Sequence, residues 1–433
     1  MDSLYTATSR KIAWRLIPYL MLCYFVAYLD RVNLGFAALT FKGDLGFSDA
    51  VYGLGAGIFF AGYFIFEVPS NIILEKIGAR VWIARIMVTW GLVSAAMAFV
   101  QGETSFYAVR FLLGVAEAGF FPGIILYLTY WYTSAERAKM VGMFMTAIAL
   151  SGIIGAPLST WILTSFSGVS GLKSWQWLFI LEAAPAILVG IVTYFYLTDR
   201  PQDAHWLTAE ERESVASHLA AEKASREAVR KFSLGEALTH PRVLGLALIY
   251  FGIVVGLYGL GFWLPQIVKA FGFSTFMTGW VVAIPYLFSA IVMVLWTRNS
   301  DRTGERVWHL AIASFLGGAG LIAGAYLGDP LIAMVALTFG SIGIYAGLPT
   351  FWTLPTALLT GTAAAGGIAL INAIGNLGGF AGPYLVGWIR DTFKDPALAT
   401  ASLGAFVILS GVITLVMGHD SRMESHVASQ RVS

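Results

Sequence analysis

Charged residues are scarce in this sequence. Asp, Glu, Lys and Arg make up 12% of the 433 residues, whereas 58% are hydrophobic. About a quarter of the residues of a typical soluble domain are charged. A single apolar core inside a water-exposed polar surface therefore does not account for this composition. The formal net charge is only +2, which gives no signal for a polyanionic partner such as nucleic acid.

Cysteine is nearly absent as well. The single Cys23 excludes an intrachain disulfide and a cysteine metal cluster. The six histidines show no close metal-ligand spacing, and the sequence has no Gly-x-x-x-x-Gly-Lys loop for nucleotide phosphates. We therefore expect no metal, no cofactor and no ATP-driven chemistry.

Long apolar runs are what the sequence has in abundance. A helix needs about 20 mostly apolar residues to cross a bilayer. Twelve stretches satisfy this length, at 13–39, 50–74, 81–100, 104–130, 138–164, 176–198, 243–268, 277–297, 307–327, 330–357, 362–388 and 398–418. The sequence thus predicts an all-α, polytopic membrane protein.

The basic residues predict the orientation of these spans. With both termini in the cytoplasm, about 20 of the 27 Lys and Arg residues lie on the cytoplasmic side. The longest polar segment, 199–242, contains two capping boxes, Thr208 with Glu211 and Ser233 with Glu236. We interpret it as a linker with one or two short surface helices, and a disordered linker is the alternative. The predicted divisions are an amino-terminal half (1–198), a cytoplasmic linker (199–242) and a carboxyl-terminal half (243–433).

The two halves repeat each other at a fixed offset of 226 residues. Three sets of residues carry the match: Gly46, Phe47, Ser48 and Gly53 recur as Gly272, Phe273, Ser274 and Gly279; Gly78, Arg80 and Trp82 recur as Gly304, Arg306 and Trp308; Gly152 and Pro157 recur as Gly378 and Pro383. Parallel six-helix repeats are an architecture of membrane transporters.

Two polar loops at equivalent positions resemble the cytoplasmic-loop motif of the major facilitator superfamily. That motif reads Gly, three residues, Asp-Arg, one residue, Gly-Arg-Arg, and here Asn71 and Thr297 replace its first glycine, while Ala79 and Glu305 replace an arginine. The resemblance implies the major facilitator fold, with a central cavity between two six-helix halves. It also implies a gating role for the matched residues, Glu75, Lys76, Gly78, Arg80, Asp301, Arg302, Gly304 and Arg306.

A narrower resemblance extends over most of the chain. It is carried by YLDRVN at 28–33, EVPSN at 67–71, RFLLG at 110–114, EAGFFPG at 117–123, DRP at 199–201, AHWLT at 204–208 and INAIGNLGGF at 371–380. Together these segments are similar to the anion:cation symporter family. Its bacterial members import organic acids such as tartrate, phthalate and sugar acids with protons.

Four charges fall inside predicted spans: Asp30, Arg31, Arg110 and Glu117. Ionisable residues in membrane helices are costly, so each is a functional candidate. At the offset of 226, all four correspond to uncharged residues, which assigns charge handling to the amino-terminal half. Arg110, Gly114 and Glu117 share one helix stripe, and Asp30 points about 100° away from Arg31, so these neighbours can serve different partners.

We predict that Arg31 binds a substrate carboxylate, because a guanidinium is a permanent, planar, bidentate donor. Asp30 and Glu117 are the predicted proton carriers, with Arg110 as the partner that tunes them. The alternative is a structural ion-pair network. Glu67 is as compatible with a structural role as with a functional one, and we expect a packing or hydrogen-bonding role for Glu182. The family resemblance also suggests Tyr28, Tyr63, Trp352 and Asn372 as substrate contacts. The alternative is ordinary helix packing for Tyr63 and Trp352, and a polar bridge between helices for Asn372.

The function predicted from the sequence is proton-coupled import of a small organic carboxylate by alternating access, through a monomer in the inner membrane. A tartrate-like hydroxy acid, a sugar acid and an aromatic acid all remain open. The alternative within transport is a carboxylate exchanger or uniporter without proton coupling. A membrane sensor or an integral-membrane enzyme is less consistent with the sequence, because no signalling domain, catalytic triad or metal cluster is recognisable in it.

Overall fold

The computed structural model describes residues 3–227, 240–358 and 361–419, all of them helix, turn or loop. The predicted capping box at Ser233 and Glu236 lies outside the described residues. Fourteen α-helices are described: α1 (Ser3–Leu45), α2 (Asp49–Ile77), α3 (Ala79–Ala96), α4 (Glu103–Glu117), α5 (Phe120–Thr129), α6 (Ser134–Ser165), α7 (Ser174–Tyr196), α8 (Ala209–Glu227), α9 (Pro241–Ala270), α10 (Thr275–Thr303), α11 (Val307–Tyr326), α12 (Pro330–Leu358), α13 (Gly361–Phe393) and α14 (Pro396–Met417).

Twelve membrane-crossing segments are present among these helices, as the sequence predicts. Helices α1–α7 form the amino-terminal half, with α4 and α5 making one span, and α9–α14 form the carboxyl-terminal half. We call the end of the bundle where α1 begins and α7 ends the linker side. The opposite end, where α1 ends at Leu45 and α2 begins at Asp49, is the far side.

The fourth span is broken, although its apolar pattern predicts one continuous helix. Helix α4 ends at Glu117, Ala118 is extended, and Gly119 has a φ of 85° before α5 begins. A Cβ atom at Gly119 would lie 2.3 Å from the hydroxyl oxygen of Ser70 in α2. The close approach of α2 and the left-handed backbone both require glycine here, and the break leaves Glu117 at a helix end.

The internal repeat recurs in the local geometry. Ser48 and Ser274 are the N-caps of α2 and α10, and each hydroxyl accepts the backbone N–H three residues later. Gly78 and Gly304 end the same two helices with φ values of 102° and 74°. The duplicated residues therefore start and end equivalent helices in the two halves.

Equivalent helix pairs also join the two halves near the far side. A Cβ atom at Gly53 of α2 would lie 2.5 Å from the carbonyl oxygen of Pro383 in α13, and one at Gly279 of α10 would lie 2.6 Å from that of Ala156 in α6. These two glycines are repeat partners. The contacts between α2 and α13 and between α6 and α10 are thus related by the internal pseudosymmetry.

The linker segment folds back onto the amino-terminal half. Thr208 and Glu211 form the predicted capping box at the start of α8, with N···O distances of 2.8 and 3.1 Å. The hydrogen bond from Lys11 of α1 holds the pKa of Glu211 below its usual value. The His218 ring of α8 stacks on Tyr5 of α1 at 3.9 Å. One surface helix of the linker is therefore described, docked on the beginning of α1.

The two motif loops lie on the linker side. Arg80 and Arg306 each pair with an aspartate: the Arg80 backbone N–H donates to Asp199 at 2.8 Å, and the Arg306 guanidinium lies 2.7 Å from Asp301. The remaining charged motif residues, Glu75, Lys76 and Arg302, are exposed. A gating role for these loops stays a prediction.

Packing between α4 and α2 depends on Gly114. A Cβ atom there would lie 1.9 Å from the carbonyl oxygen of Phe59. We expect Gly114→Ala to destabilise the fold by about 2 kcal/mol or more, because the two backbones would have to separate. Thermal unfolding in detergent measures this. Gly142→Ala is the matched control: it is also a helix-interior glycine but has open space around it, so its stability should stay the same or rise slightly. Equal melting temperatures for both variants would contradict this packing.

Candidate functional site

A central cavity lies between the two halves. Its empty space is about 540 Å³, including part of its opening. Among the described residues that line it, Arg31 is the only charged one. The other lining residues are mostly aromatic or amide side chains from both halves: Tyr24, Tyr28, Phe60, Tyr63, Phe121, Met145, Ile148, Tyr250, Leu257, Tyr258, Leu348, Asn372 and Asn376.

The guanidinium of Arg31 joins the two halves. It forms a partly buried ion pair with Glu117 of α4, with Nε 2.9 Å from Oε1 and a second, closer contact through Nη2. Its Nη1 donates to the hydroxyl of Tyr258 in α9 at 2.6 Å. The sequence predicts both charged residues as functional candidates but does not predict that they pair, and Tyr258 is not among the predicted site residues.

Aromatic rings surround this guanidinium on several sides. Its central carbon lies 4.9 Å from the ring centroid of Tyr28 and 5.8 Å from that of Tyr63. The hydroxyls of Tyr28 and Tyr258 are 3.1 Å apart. Cation–π attraction and the hydroxyl contacts keep the positive charge in place where water is largely excluded. Tyr28 and Tyr63, both predicted as substrate contacts, therefore lie in the cavity beside Arg31.

Asp30 faces away from the cavity, as the helical geometry predicts. Its carboxylate accepts hydrogen bonds from Trp90 at 2.5 Å and Ser94 at 3.0 Å, both in α3, and from Asn33 at 3.3 Å. Asp30 is only 3% exposed. Arg31 and Asp30 are adjacent in sequence, yet they serve separate polar networks.

The Arg110 side chain donates hydrogen bonds to backbone carbonyl oxygens and not to a carboxylate. Its Nε donates to the carbonyl oxygen of Gly55 at 3.1 Å and its Nη2 to that of Ala56 at 3.3 Å, both in α2. No hydrogen bond joins it to Asp30 or Glu117 in the described part of the chain, and its predicted role of tuning these carboxylates stays a prediction. The α2 carbonyls are closer because Gly114, one turn further along α4, lets α2 approach.

Asn372 and Trp352 are the predicted contacts from the carboxyl-terminal half. Asn372 lines the cavity and donates its amide N–H to Glu67 of α2 at 2.7 Å, which links the two halves again. Trp352 is not among the lining residues; its ring packs edge-on against Tyr250, which is, at 4.9 Å.

Tyr250, Tyr258 and Asn376 line the cavity but are not among the residues predicted from the sequence. Tyr250 and Tyr258 are hydroxyl-bearing rings within one otherwise apolar span, and that could have marked them. Asn376 lies one helical turn after Asn372 in a segment already notable for its amides. The sequence marks Glu67 as a possible functional or structural residue, but only the structure shows that its hydrogen-bond partner is Asn372.

A network of charges closes the far side. Asp49, at the start of α2, pairs with Lys42 of α1 and accepts the Nε–H of Arg390 from α13 at 2.6 Å. Asp391 accepts the backbone N–H of residue 50 at 2.6 Å. Lys42 and Arg390 both lie over the Trp263 ring of α9, at 5.3 and 5.0 Å. We call Lys42, Asp49, Trp263 and Arg390 the far-side network; it crosses from one half to the other.

Comparison with known proteins decides the family. The family model of the Major Facilitator Superfamily matches residues 20–383. The chain belongs to the major facilitator superfamily. A protein of Agrobacterium vitis named "Putative tartrate transporter" is 52% identical over 423 residues, which cover 97% of this chain and 94% of that protein. A "Quinolone resistance transporter" of Acinetobacter baumannii is 41% identical over 409 residues, covering 94% of both chains.

A solved major facilitator structure supports the fold. The inward-open xylose transporter XylE of E. coli superposes with a TM-score of 0.74 at 15% identity, covering 94% of this chain and 96% of that one. The prediction of a major facilitator fold is confirmed, and the relatives agree with the resemblance to the anion:cation symporter family. As a member of the superfamily, the chain is a transporter and not an enzyme. Its twelve spans and bacterial relatives support a multi-pass protein of the inner membrane.

Proposed function

We propose that this transporter carries a small organic carboxylate in symport with protons. The observation that supports this most directly is Arg31, a partly buried guanidinium in the cavity between the halves. A permanent cation with a planar set of donors suits a carboxylate. The remaining lining is neutral and aromatic, so Arg31 determines the sign of the charge that the cavity attracts.

The coupling we infer is a competition for Arg31. In the described arrangement, Glu117 accepts from the guanidinium and so does the hydroxyl of Tyr258. A substrate carboxylate must share or replace these contacts, and two anions at one guanidinium repel each other. When Glu117 takes up a proton, its charge disappears and the guanidinium is free for the substrate. Uptake of the anion and of the proton then favour each other.

Alternating access would proceed by opening the far side. The described arrangement has close contacts between the halves there, at Gly53 and Gly279 and in the far-side network. We infer that the linker side is cytoplasmic, since it carries the excess of basic residues. The far-side network would then separate when the cavity opens to the periplasm and re-form when the substrate is released inside.

Two substrate classes fit the cavity. Asn372, Asn376 and Tyr63 offer amide and hydroxyl groups for a polyhydroxy acid, and a 52% identical relative is named for tartrate. A tartrate-like hydroxy acid is therefore the first candidate. The many aromatic rings, together with a relative named for quinolones, favour an aromatic acid as the second.

Reconstitution in liposomes that contain a pH dye tests the proposal. An inward gradient of tartrate, of a sugar acid or of an aromatic acid is applied in turn, with the corresponding neutral amide as the control. We expect internal acidification with one class of acid and none with the amides. Labelled acid that accumulates without regard to an imposed pH gradient would overturn proton symport and favour exchange or uniport.

A further inference from the structure

Glu67 is a carboxyl group that the coupling described above does not use, and it lies behind a residue of the cavity wall. It is in α2, one turn after the lining residue Tyr63, and is 8% exposed. Its Oε1 accepts the Nδ2–H of the lining residue Asn372 at 2.7 Å. The neighbouring Asn71 donates to the backbone carbonyl oxygen of Glu67, at 2.9 Å, and not to its carboxyl group.

The packing of α2 on α13 holds Glu67 beside Asn372. A Cβ atom at Gly57 of α2 would lie 2.8 Å from the carbonyl oxygen of Phe380 in α13, so the two helix backbones are in close contact. Glu67 and Asn372 lie on the same two helices, about two to three turns further toward the linker side. Because neither helix can shift alone past such a contact, the distance between the two side chains is fixed in the described arrangement.

This hydrogen bond decides which end of the Asn372 amide faces the cavity. An amide has a donor end, the NH₂ group, and an acceptor end, the carbonyl oxygen, whereas a carboxylate only accepts. A carboxylate at Glu67 therefore requires the NH₂ group of Asn372 to turn toward it, as observed. The carbonyl oxygen of Asn372 has no hydrogen bond to another described residue. Since Asn372 lines the cavity, this oxygen is the group left for a ligand.

We propose that Glu67 is a positioning residue that makes Asn372 an acceptor for a substrate hydroxyl. The inference rests on the proposed function and narrows its substrate to a carboxylate that also carries a hydroxyl group. Arg31 and Asn372 line one cavity from opposite halves, so the carboxylate and the hydroxyl of the substrate are recognised by different halves. A keto oxygen in place of the hydroxyl would face the Asn372 oxygen as a second acceptor, and neither would have a proton to share.

The alternative is a purely structural link between α2 and α13. Such a link acts on folding or on the separation of the two halves, so its loss changes the affinity for all acids by a similar factor. Positioning of Asn372 acts on one functional group of the substrate. The measurement that separates the two roles is therefore the ratio of affinities for a hydroxy acid and for its keto analogue.

Titration calorimetry on the purified full chain measures this ratio. The first probes are malate, oxaloacetate and succinate, diacids of the same chain length that carry a hydroxyl, a keto oxygen or neither, with tartrate as the dihydroxy member. Gluconate with its keto acid, and a hydroxybenzoate with the matching formylbenzoate, represent the sugar acids and aromatic acids. We expect the wild type to bind the hydroxy acid at least about tenfold more tightly than its keto analogue.

Glu67→Gln is the variant that tests positioning. Glutamine has the shape of glutamate but can either accept from Asn372 or donate to it, so the Asn372 amide can turn its NH₂ group toward a keto oxygen. We expect the keto acid to bind at least about fivefold more tightly than to the wild type. Damage to the fold does not produce such a gain. Glu67→Met keeps the size of the side chain without its oxygens and should also lower the preference for the hydroxy acid.

Two further variants serve as controls. Glu103→Gln removes an exposed carboxylate of α4 and should keep the wild-type ratio. Asn372→Leu removes the positioned amide and should abolish the preference by itself. In that background Glu67→Gln should leave the ratio unchanged, because the residue through which Glu67 acts is missing.

Three results would overturn the inference: equal affinities of the wild type for hydroxy and keto acids, an unchanged ratio in Glu67→Gln, or an effect of Glu67→Gln that persists in Asn372→Leu. Binding needs no proton gradient, so these results are distinct from a failure of symport. Acidification of liposomes together with equal affinities would keep the proposed function and refute the role of Glu67. A hydroxyl preference that depends on Glu67, without proton-coupled uptake, would do the opposite, and binding of none of the acids would refute both.

Discussion

Arg31→Ala abolishes saturable substrate binding, with an expected loss of at least about 100-fold in affinity. Two charge-assisted hydrogen bonds to a carboxylate contribute roughly 1.5–3 kcal/mol each, and no other described residue of the cavity lining carries a positive charge. The variant also leaves Glu117 buried without its cation. Titration calorimetry or quenching of tryptophan fluorescence in detergent measures the affinity for the acid identified in liposomes.

Two controls separate binding from folding. Arg31→Lys keeps the charge but loses the bidentate geometry, so its affinity should fall between the wild type and Arg31→Ala. Arg85→Ala removes an arginine of α3 that stacks on Trp82 at 4.4 Å and does not line the cavity. Its affinity should stay at the wild-type level. Unchanged affinity in a folded Arg31→Ala would remove Arg31 from the substrate site and favour the structural ion-pair alternative.

Glu117→Gln uncouples substrate movement from protons. The amide resembles the protonated acid in shape and charge, so Arg31 stays available to the substrate. We expect counterflow, in which labelled acid exchanges for unlabelled acid, to remain within a few-fold of the wild type. Accumulation driven by a pH gradient should fall to the level of protein-free liposomes. Both are measured on the same reconstituted preparation.

Glu103→Gln is the matched control for this prediction. Glu103 lies in the first turn of the same helix, α4, and is exposed, so its replacement should leave both assays unchanged. If a folded Glu117→Gln still accumulates substrate against its gradient, Glu117 does not carry the proton, and Asp30 becomes the only predicted carrier of the two. Loss of both counterflow and accumulation would instead indicate that Glu117 is needed to orient Arg31.

Most of the fold could be predicted from the sequence because its signals are local. An apolar run of sufficient length defines a span wherever its neighbours lie. The offset of 226 residues pairs Ser48 with Ser274, and the structure shows both to be N-caps of equivalent helices. The break at Gly119 was harder to predict. The apolar pattern continues through it, and what requires glycine is the Ser70 side chain of another helix.

For the site, the sequence by itself determined that four charges, Asp30, Arg31, Arg110 and Glu117, lie within spans of the amino-terminal half. It could also separate Asp30 from Arg31, since the angle between adjacent residues on a helix is fixed. Only the tertiary structure decided the partners. Arg31 pairs with Glu117 and Tyr258, whereas Arg110 binds the backbone of α2. Differences of a few tenths of an ångström in donor–acceptor distance decide which hydrogen bonds form, and these distances join helices that are far apart in sequence. Spacing along the chain carries no information about such distances.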